Sequence, residues 1–108
     1  MNIGQIAKMA QQMQTQMAQA QEELRQTTLE ASAGGGAVRI VITGAQEVRS
    51  VEIDPSAVDP DEVEMLQDLV MTAINEAIGR SKELERERMS GIAGAMGLPG
   101  MPGLPGFG

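Results

Sequence analysis

The chain has 108 residues, a formal net charge of −7, a single aromatic residue (Phe107), and neither cysteine nor histidine. That composition excludes disulfides, Cys/His zinc sites, thiol nucleophiles and imidazole acid–base chemistry, and the negative balance is not the basic footprint of a generic nucleic-acid binder. A core limited to Ile, Val, Leu, Met and Ala suits helix–helix seams better than an isolated globule.

The N-terminus Met1-Asn2-Ile3-Gly4-Gln5 has neither the basic start nor the apolar run of a signal peptide. No apolar stretch approaches the ~20 residues of a membrane span. The expected location is therefore the cytoplasm.

Residues 3–31 are expected to form one long amphipathic helix. Ile3, Ala10, Met17, Leu24 and Ala31 recur at every seventh position, and Ile6, Met13, Ala20 and Thr27 form a second column beside them. Together they make an a/d pattern of about four heptads on a helix roughly 40 Å long. About 90 residues are available to fold, too few to cover such a stripe within one protomer. The sequence thus predicts a homodimer, with Ile6, Met13, Met17 and Leu24 in the seam.

Gly34-Gly35-Gly36 supplies the backbone freedom for a chain reversal. The β-branched run that follows, residues 37–43, alternates, with Val38, Ile40 and Ile42 on one face. Gly44-Ala45-Gln46 makes a turn, and residues 47–54 return with Arg49, Val51 and Ile53 on one face. Val48 falls out of that alternation, which predicts a bulge near Arg49-Ser50. The expected unit is a β-hairpin, or three short antiparallel strands. Asp59-Pro60-Asp61-Glu62 then opens a second helix, with Asp59 as cap and Pro60 in the first turn. Its apolar stripe is Val63, Leu66, Leu69, Val70, Ala73, Ile74, Ala77 and Leu84, and it is expected to end near Met89. The fold class is α+β, with a folded domain over residues 1–90 and a Gly/Pro/Met-rich tail over 91–108. In the tail, Gly recurs at every third position from Gly91 to Gly106. Six triplets are too few for a collagen helix, so the expectation is a disordered tail with polyproline-like stretches.

Few residues carry chemistry. The glycine run has no Lys-Ser or Lys-Thr after it and leads into a strand, unlike a phosphate loop. The acids at 54–68 follow a helix start and lack the order of a calcium loop. No catalytic constellation is present, so no enzyme activity, cofactor, metal or small-molecule substrate is expected. The methionines Met9, Met13 and Met17 could form an adaptable binding surface, but the heptad pattern makes Met13 and Met17 packing residues in a seam. Four of the eight basic residues, Arg80, Lys82, Arg86 and Arg88, gather at the end of the second helix beside Glu83, Glu85 and Glu87.

The order of these features resembles a known family. A Gln/Met-rich heptad helix leads to Ala33-Gly34-Gly35-Gly36-Ala37-Val38 and a hairpin. Val51-Glu52-Ile53-Asp54-Pro55 and the acidic start Asp59-Pro60-Asp61-Glu62-Val63 follow, and a Gly-Leu-Pro-Gly tail closes the chain. This is similar to the YbaB/EbfC family of nucleoid-associated proteins over nearly the whole chain. The resemblance implies an α-β-β-β-α protomer, an intertwined homodimer with projecting helices, association with the nucleoid, and binding of duplex DNA by those helices. Carried onto matching positions, the implied DNA contacts are Lys8 and Arg25 on the first helix and Arg80, Lys82, Arg86 and Arg88 on the second. Long coiled-coil arms are also the plan of prefoldin-like chaperones, so an interaction protein that does not bind DNA is the alternative.

Overall fold

The computed structural model describes residues 2–95. The tail expected over residues 91–108 lies, from residue 96 onward, outside the described residues. The elements run α1 (Ile3–Gln26), β1 (Thr28–Ala33), β2 (Val38–Thr43), β3 (Val48–Ile53) and α2 (Val63–Ala95), with 3-10 turns at Pro55–Ala57 and Pro60–Glu62. The expected α+β class holds, in its three-stranded form. The strands make one antiparallel sheet in the order β1-β2-β3.

α1 starts on Asn2, whose side-chain oxygen accepts from the Gln5 amide at 2.7 Å. It stops at Gln26, short of the expected residue 31. Residues 28–33 instead pair with β2, from Thr28 opposite Thr43 to Ala33 opposite Val38. The reason is visible at the junction. The Gly44 amide donates to the carbonyls of both Leu24 (2.9 Å) and Thr27 (3.0 Å), satisfying helix-end acceptors that have no partner of their own. Leu29, Ala31 and Ala33 also alternate, and a strand places them together on the core face.

All three glycines of the β1–β2 turn take positive φ, the region where a side chain is costly. Between β2 and β3 the register shifts: Val41 faces Ser50 but Ile42 faces Val48, leaving Arg49 as the extra residue of a bulge.

α2 lies across β1 and β2. Ala73 and Ala77 meet Val38, Ile40, Ile42, Ala31 and Ala33, with Leu66, Leu69, Val70 and Ile74 around them. Small residues at the centre of the contact let the helix approach the sheet closely. Asp59 opens the 3-10 turn before α2 by accepting from the Asp61 amide at 2.9 Å. The helix runs past Met89, its expected end, and takes in Gly91 and Gly94 as far as Ala95, the last described residue. One polar knot fastens it to the sheet. Ser81 donates to the Thr43 carbonyl at 2.6 Å and accepts from the backbone and side-chain amides of Gln46.

Past the sheet, α2 continues beside α1. Leu84 and Leu24 close on Gly44 from two sides, and Arg88 pairs with Glu23. Leu24, expected in an intersubunit seam, is buried inside its own protomer. Ile6 and Met17 are exposed and Met13 is half-buried.

Candidate nucleic-acid interface

The chain's charge is distributed unevenly. Residues 2–21, nearly all of α1, contain one charged side chain, Lys8. All fifteen acids lie later, from Glu22 onward. Lys8 shares one side of α1 with Gln11, Gln12, Thr15, Gln16 and Gln19. That side offers amide donors and acceptors, a hydroxyl and one cation, with no carboxylate to repel a polyanion.

Four of the six basic residues expected at a DNA contact are paired with acids. Arg25 meets Glu22 at 2.5 Å and Arg80 meets Glu76 at 3.0 Å. Arg86 pairs with Glu83 one turn away, and Arg88 reaches across to Glu23 of α1. Arg80 also donates to the Glu30 carbonyl of β1 at 3.0 Å. Lys8 and Lys82 make no ion pair among the described residues. All but Arg88, whose side chain is 36% exposed, are largely solvent-exposed, where an ion pair contributes about 0–1 kcal/mol. A phosphate can therefore displace a carboxylate at little cost. By helical periodicity Lys82 and Arg86 stand on the side of α2 opposite Ala77 and Ser81, facing away from the core. Arg88 lies toward α1 and has a structural partner there. The six do not form one patch: Lys8 is about 25 Å along α1 from Arg25.

Two further arginines, Arg49 and Arg39, lie outside the expected set. Arg49, pushed out by the bulge, donates to the Arg25 carbonyl at 3.1 Å, so two guanidinium groups attach to the C-terminal end of α1. The sequence signal for it was the broken alternation at Val48. Arg39, on the sheet face away from α2, bridges Glu52 of β3 at 2.9 Å and Glu30 of β1 at 3.6 Å. The hydrogen bond to Glu52, helped by the charge of Glu30, raises its pKa further above an ordinary guanidinium. Glu22 is held below the ordinary carboxylate range, first by the Gln26 side-chain amide and then by Arg25.

A second surface is apolar. Val48, Val51 and Ile53 of β3 lie opposite Ile42, Ile40 and Val38, hence on the face that α2 covers elsewhere. α2 does not extend over them, and every residue of β3 is exposed. Beside them, Leu66, Val70, Met71 and Ile74 line a shallow groove of ≈ 440 Å³. β3 is an edge strand, with one side of its backbone unpaired.

Among the described residues no three His, Cys, Asp or Glu side chains gather to hold a metal ion. No described helix is long and apolar enough to cross a membrane.

The family model described as the YbaB/EbfC DNA-binding family matches residues 1–96. The chain belongs to this family. A nucleoid-associated protein of Acetivibrio thermocellus is 50% identical over 93 residues, covering 86% of this chain and 82% of its own. One from Chloroflexus aurantiacus is 51% identical over 94 residues, covering 87% and 94%. Among solved structures, an uncharacterized protein from Helicobacter pylori shares the fold, with a TM-score of 0.73 at 24% identity over 81% of this chain and 91% of that one.

Proposed function

We propose that this protein is a nucleoid-associated protein that binds duplex DNA as a homodimer, in the cytoplasm at the nucleoid, without catalysis, cofactor or small-molecule substrate. The observation that carries the reading is its membership of a DNA-binding family, with relatives at about half identity named as nucleoid-associated. The distribution of charge supports it. A net charge of −7 repels DNA on average, yet nearly all of α1 is free of acids and offers Lys8 beside a row of glutamines. Glutamine can serve both phosphate oxygens and base edges. Lys82 and Arg86 add cations on the outward side of α2, with Arg25 and Arg49 near the α1–β3 corner. Arg80 and Arg88 contribute less, each held by partners within the fold.

The homodimer reading rests on the uncovered apolar strip of Val48, Val51 and Ile53 and on the open edge of β3. A second copy placed there would bury the strip and pair the edge. This moves the expected contact from the α1 seam to the sheet, because Leu24 is already taken up within its own chain.

The test is a fluorescence anisotropy titration of a labelled duplex at two salt concentrations. Binding should weaken steeply with salt, by a log–log slope of about −0.9 per phosphate contacted. No binding at micromolar protein in low salt, together with suppressed aggregation of a model protein, would favour the chaperone-like alternative.

A further inference from the structure

The sheet has two edges, and they differ. In an antiparallel ladder every second residue turns its backbone N–H and C=O away from the neighbouring strand. The Gly44 amide bonds the Thr27 carbonyl. By the β1–β2 register the next bonded pairs are Leu29 with Ile42, Ala31 with Ile40 and Ala33 with Val38. Thr28, Glu30 and Ser32 therefore point their backbone groups out of the sheet. On the other side the Asp54 amide bonds the Ala37 carbonyl, so the outward groups of β3 include those of Val51 and Ile53. Left open, each row is a template for another strand.

The β1 edge has a side chain laid across it. Arg80 Nη1 donates to the Glu30 carbonyl, the middle acceptor of the outward row, at 3.0 Å. Its Nη2 is held by Glu76, one turn earlier on α2, at 3.0 Å. This placement follows from the course of α2, which lies over β1 and β2. Glu76, Arg80, Glu83 and Glu87 line a groove of ≈ 570 Å³ together with Leu29 of β1 and Leu84. The Arg80 side chain is 57% exposed. A strand arriving at β1 would have to break the bond to Glu30, strip water from a guanidinium and lie beside three carboxylates. β3 has no such guard, because α2 does not extend over Val51 and Ile53.

We propose that Arg80 closes the β1 edge and so confines self-association to β3, making copies of this chain form a closed pair and not an open chain. Two copies joined through β3 make one sheet whose free edges are both β1. With those edges open, pairs join through β1 and growth has no end. With them closed, assembly stops at two. The inference rests on the homodimer reading only for the size of the starting particle.

The test compares Arg80→Ala with Lys82→Ala, which removes the same charge from the outward side of α2. Light scattering of the full-length protein over a range of concentrations reads the mass, and amide hydrogen exchange by NMR reads the edge. Arg80→Ala should rise with concentration to about twice the mass of the unmutated protein or more, while Lys82→Ala keeps that mass. The amides of Glu30 and Ser32 should exchange fast in the unmutated protein and slow by about tenfold or more in the Arg80→Ala assembly. An Arg80→Ala mass equal to that of the unmutated protein overturns the proposal. So does a rise that Lys82→Ala shares, or one in which those two amides stay fast, since the contact would then lie elsewhere. Failure of the β3 reading looks different: Val51→Lys alone would leave the mass of the unmutated protein unchanged, whatever Arg80→Ala does.

Discussion

Ser81 Oγ donates to the Thr43 carbonyl oxygen at 2.6 Å, and both residues are fully buried. The same hydroxyl accepts from both nitrogens of Gln46, a residue held at φ 63° in the β2–β3 turn. One side chain on α2 thus closes a turn built from strand residues more than thirty positions earlier. Ser81→Ala removes three hydrogen bonds at once from a water-poor site, leaving the Thr43 carbonyl only the Gln46 backbone amide at 3.1 Å and the Gln46 side-chain amide only the Gly44 carbonyl at 3.0 Å. The expected loss is about 1–3 kcal/mol, read as a lower urea midpoint with an unchanged slope.

Gly44 is a second point where α1, the sheet and α2 meet. A Cβ there would stand 2.7 Å from Leu24 Cδ2, 3.1 Å from the Leu24 carbonyl oxygen and 3.2 Å from Leu84 Cδ2. Gly44→Ala is expected to cost roughly 1–3 kcal/mol by forcing the end of α1 outward. Leu24→Ala removes the nearest methyl, so the double variant should lose less than the two singles together. Gly35→Ala is a useful contrast. It meets nothing within 4 Å but sits at φ +66°, and should cost about 1–2 kcal/mol through backbone strain alone, with no coupling to Leu24.

These junctions mark the boundary of what the sequence discloses. The start of α2 could be read from Asp59-Pro60, the core face of β2 from Val38, Ile40 and Ile42, and the bulge from the misplaced Val48. Local chemistry determines each of them. The break between α1 and β1 could not be read, because Ala31 satisfies two periods at once: seven residues from Leu24, and two from Leu29 and from Ala33. The amide of Gly44, some seventeen residues beyond Thr27, decides between them. The candidate site divides the same way. The lack of acids in the first twenty-one residues is plain from the sequence. That Arg88 is spent on Glu23, and that Arg49 joins Arg25, depends on packing between elements remote in the chain.

Asp54 gives the fold an acid-sensitive point. Its carboxylate accepts from the backbone amide and the hydroxyl of Ser56, both at 2.9 Å, and these bonds hold its pKa below the ordinary value of 3.8. A folded-state pKa below the unfolded one stabilises the fold above the unfolded value, and that contribution fades as pH falls through the folded one. The 3-10 turn at Pro55–Ala57 should therefore loosen below the ordinary Asp range. Asp54→Asn should be less stable than the unmutated protein at neutral pH and flatter in that acid window. Thermal melts at stepped pH would measure this, and parallel profiles for the two proteins would contradict it.

The homodimer reading has a local test on β3. Val51 is 49% exposed in the protomer, opposite the buried Ile40. If a second copy covers it, Val51→Lys places an unpaired charge in that contact and should shift the protein toward monomer by light scattering at matched concentration. If the heptad seam on α1 made the dimer instead, Val51→Lys would leave the mass unchanged and Met17→Asp would lower it.

Lys82 and Arg86 are the sharpest probes of DNA contact. Both project from the outward side of α2, and only Arg86 has an acidic partner, Glu83. Neither supports the core, so charge reversal should leave the melting temperature within a degree or so while acting on affinity. For every phosphate that the variant can no longer neutralise, the slope of log affinity against log salt should flatten by about one unit, and binding should weaken similarly for all duplex sequences. Arg88→Glu differs in kind. It also breaks the tie to Glu23, so it should lower stability and affinity together. Gln12→Ala and Gln16→Ala should leave the salt slope intact and, if the glutamine side of α1 reads base edges, reduce the difference in affinity between duplexes of unlike sequence. An unchanged slope after reversing both Lys82 and Arg86 would remove the end of α2 from the interface and leave α1 as its main element.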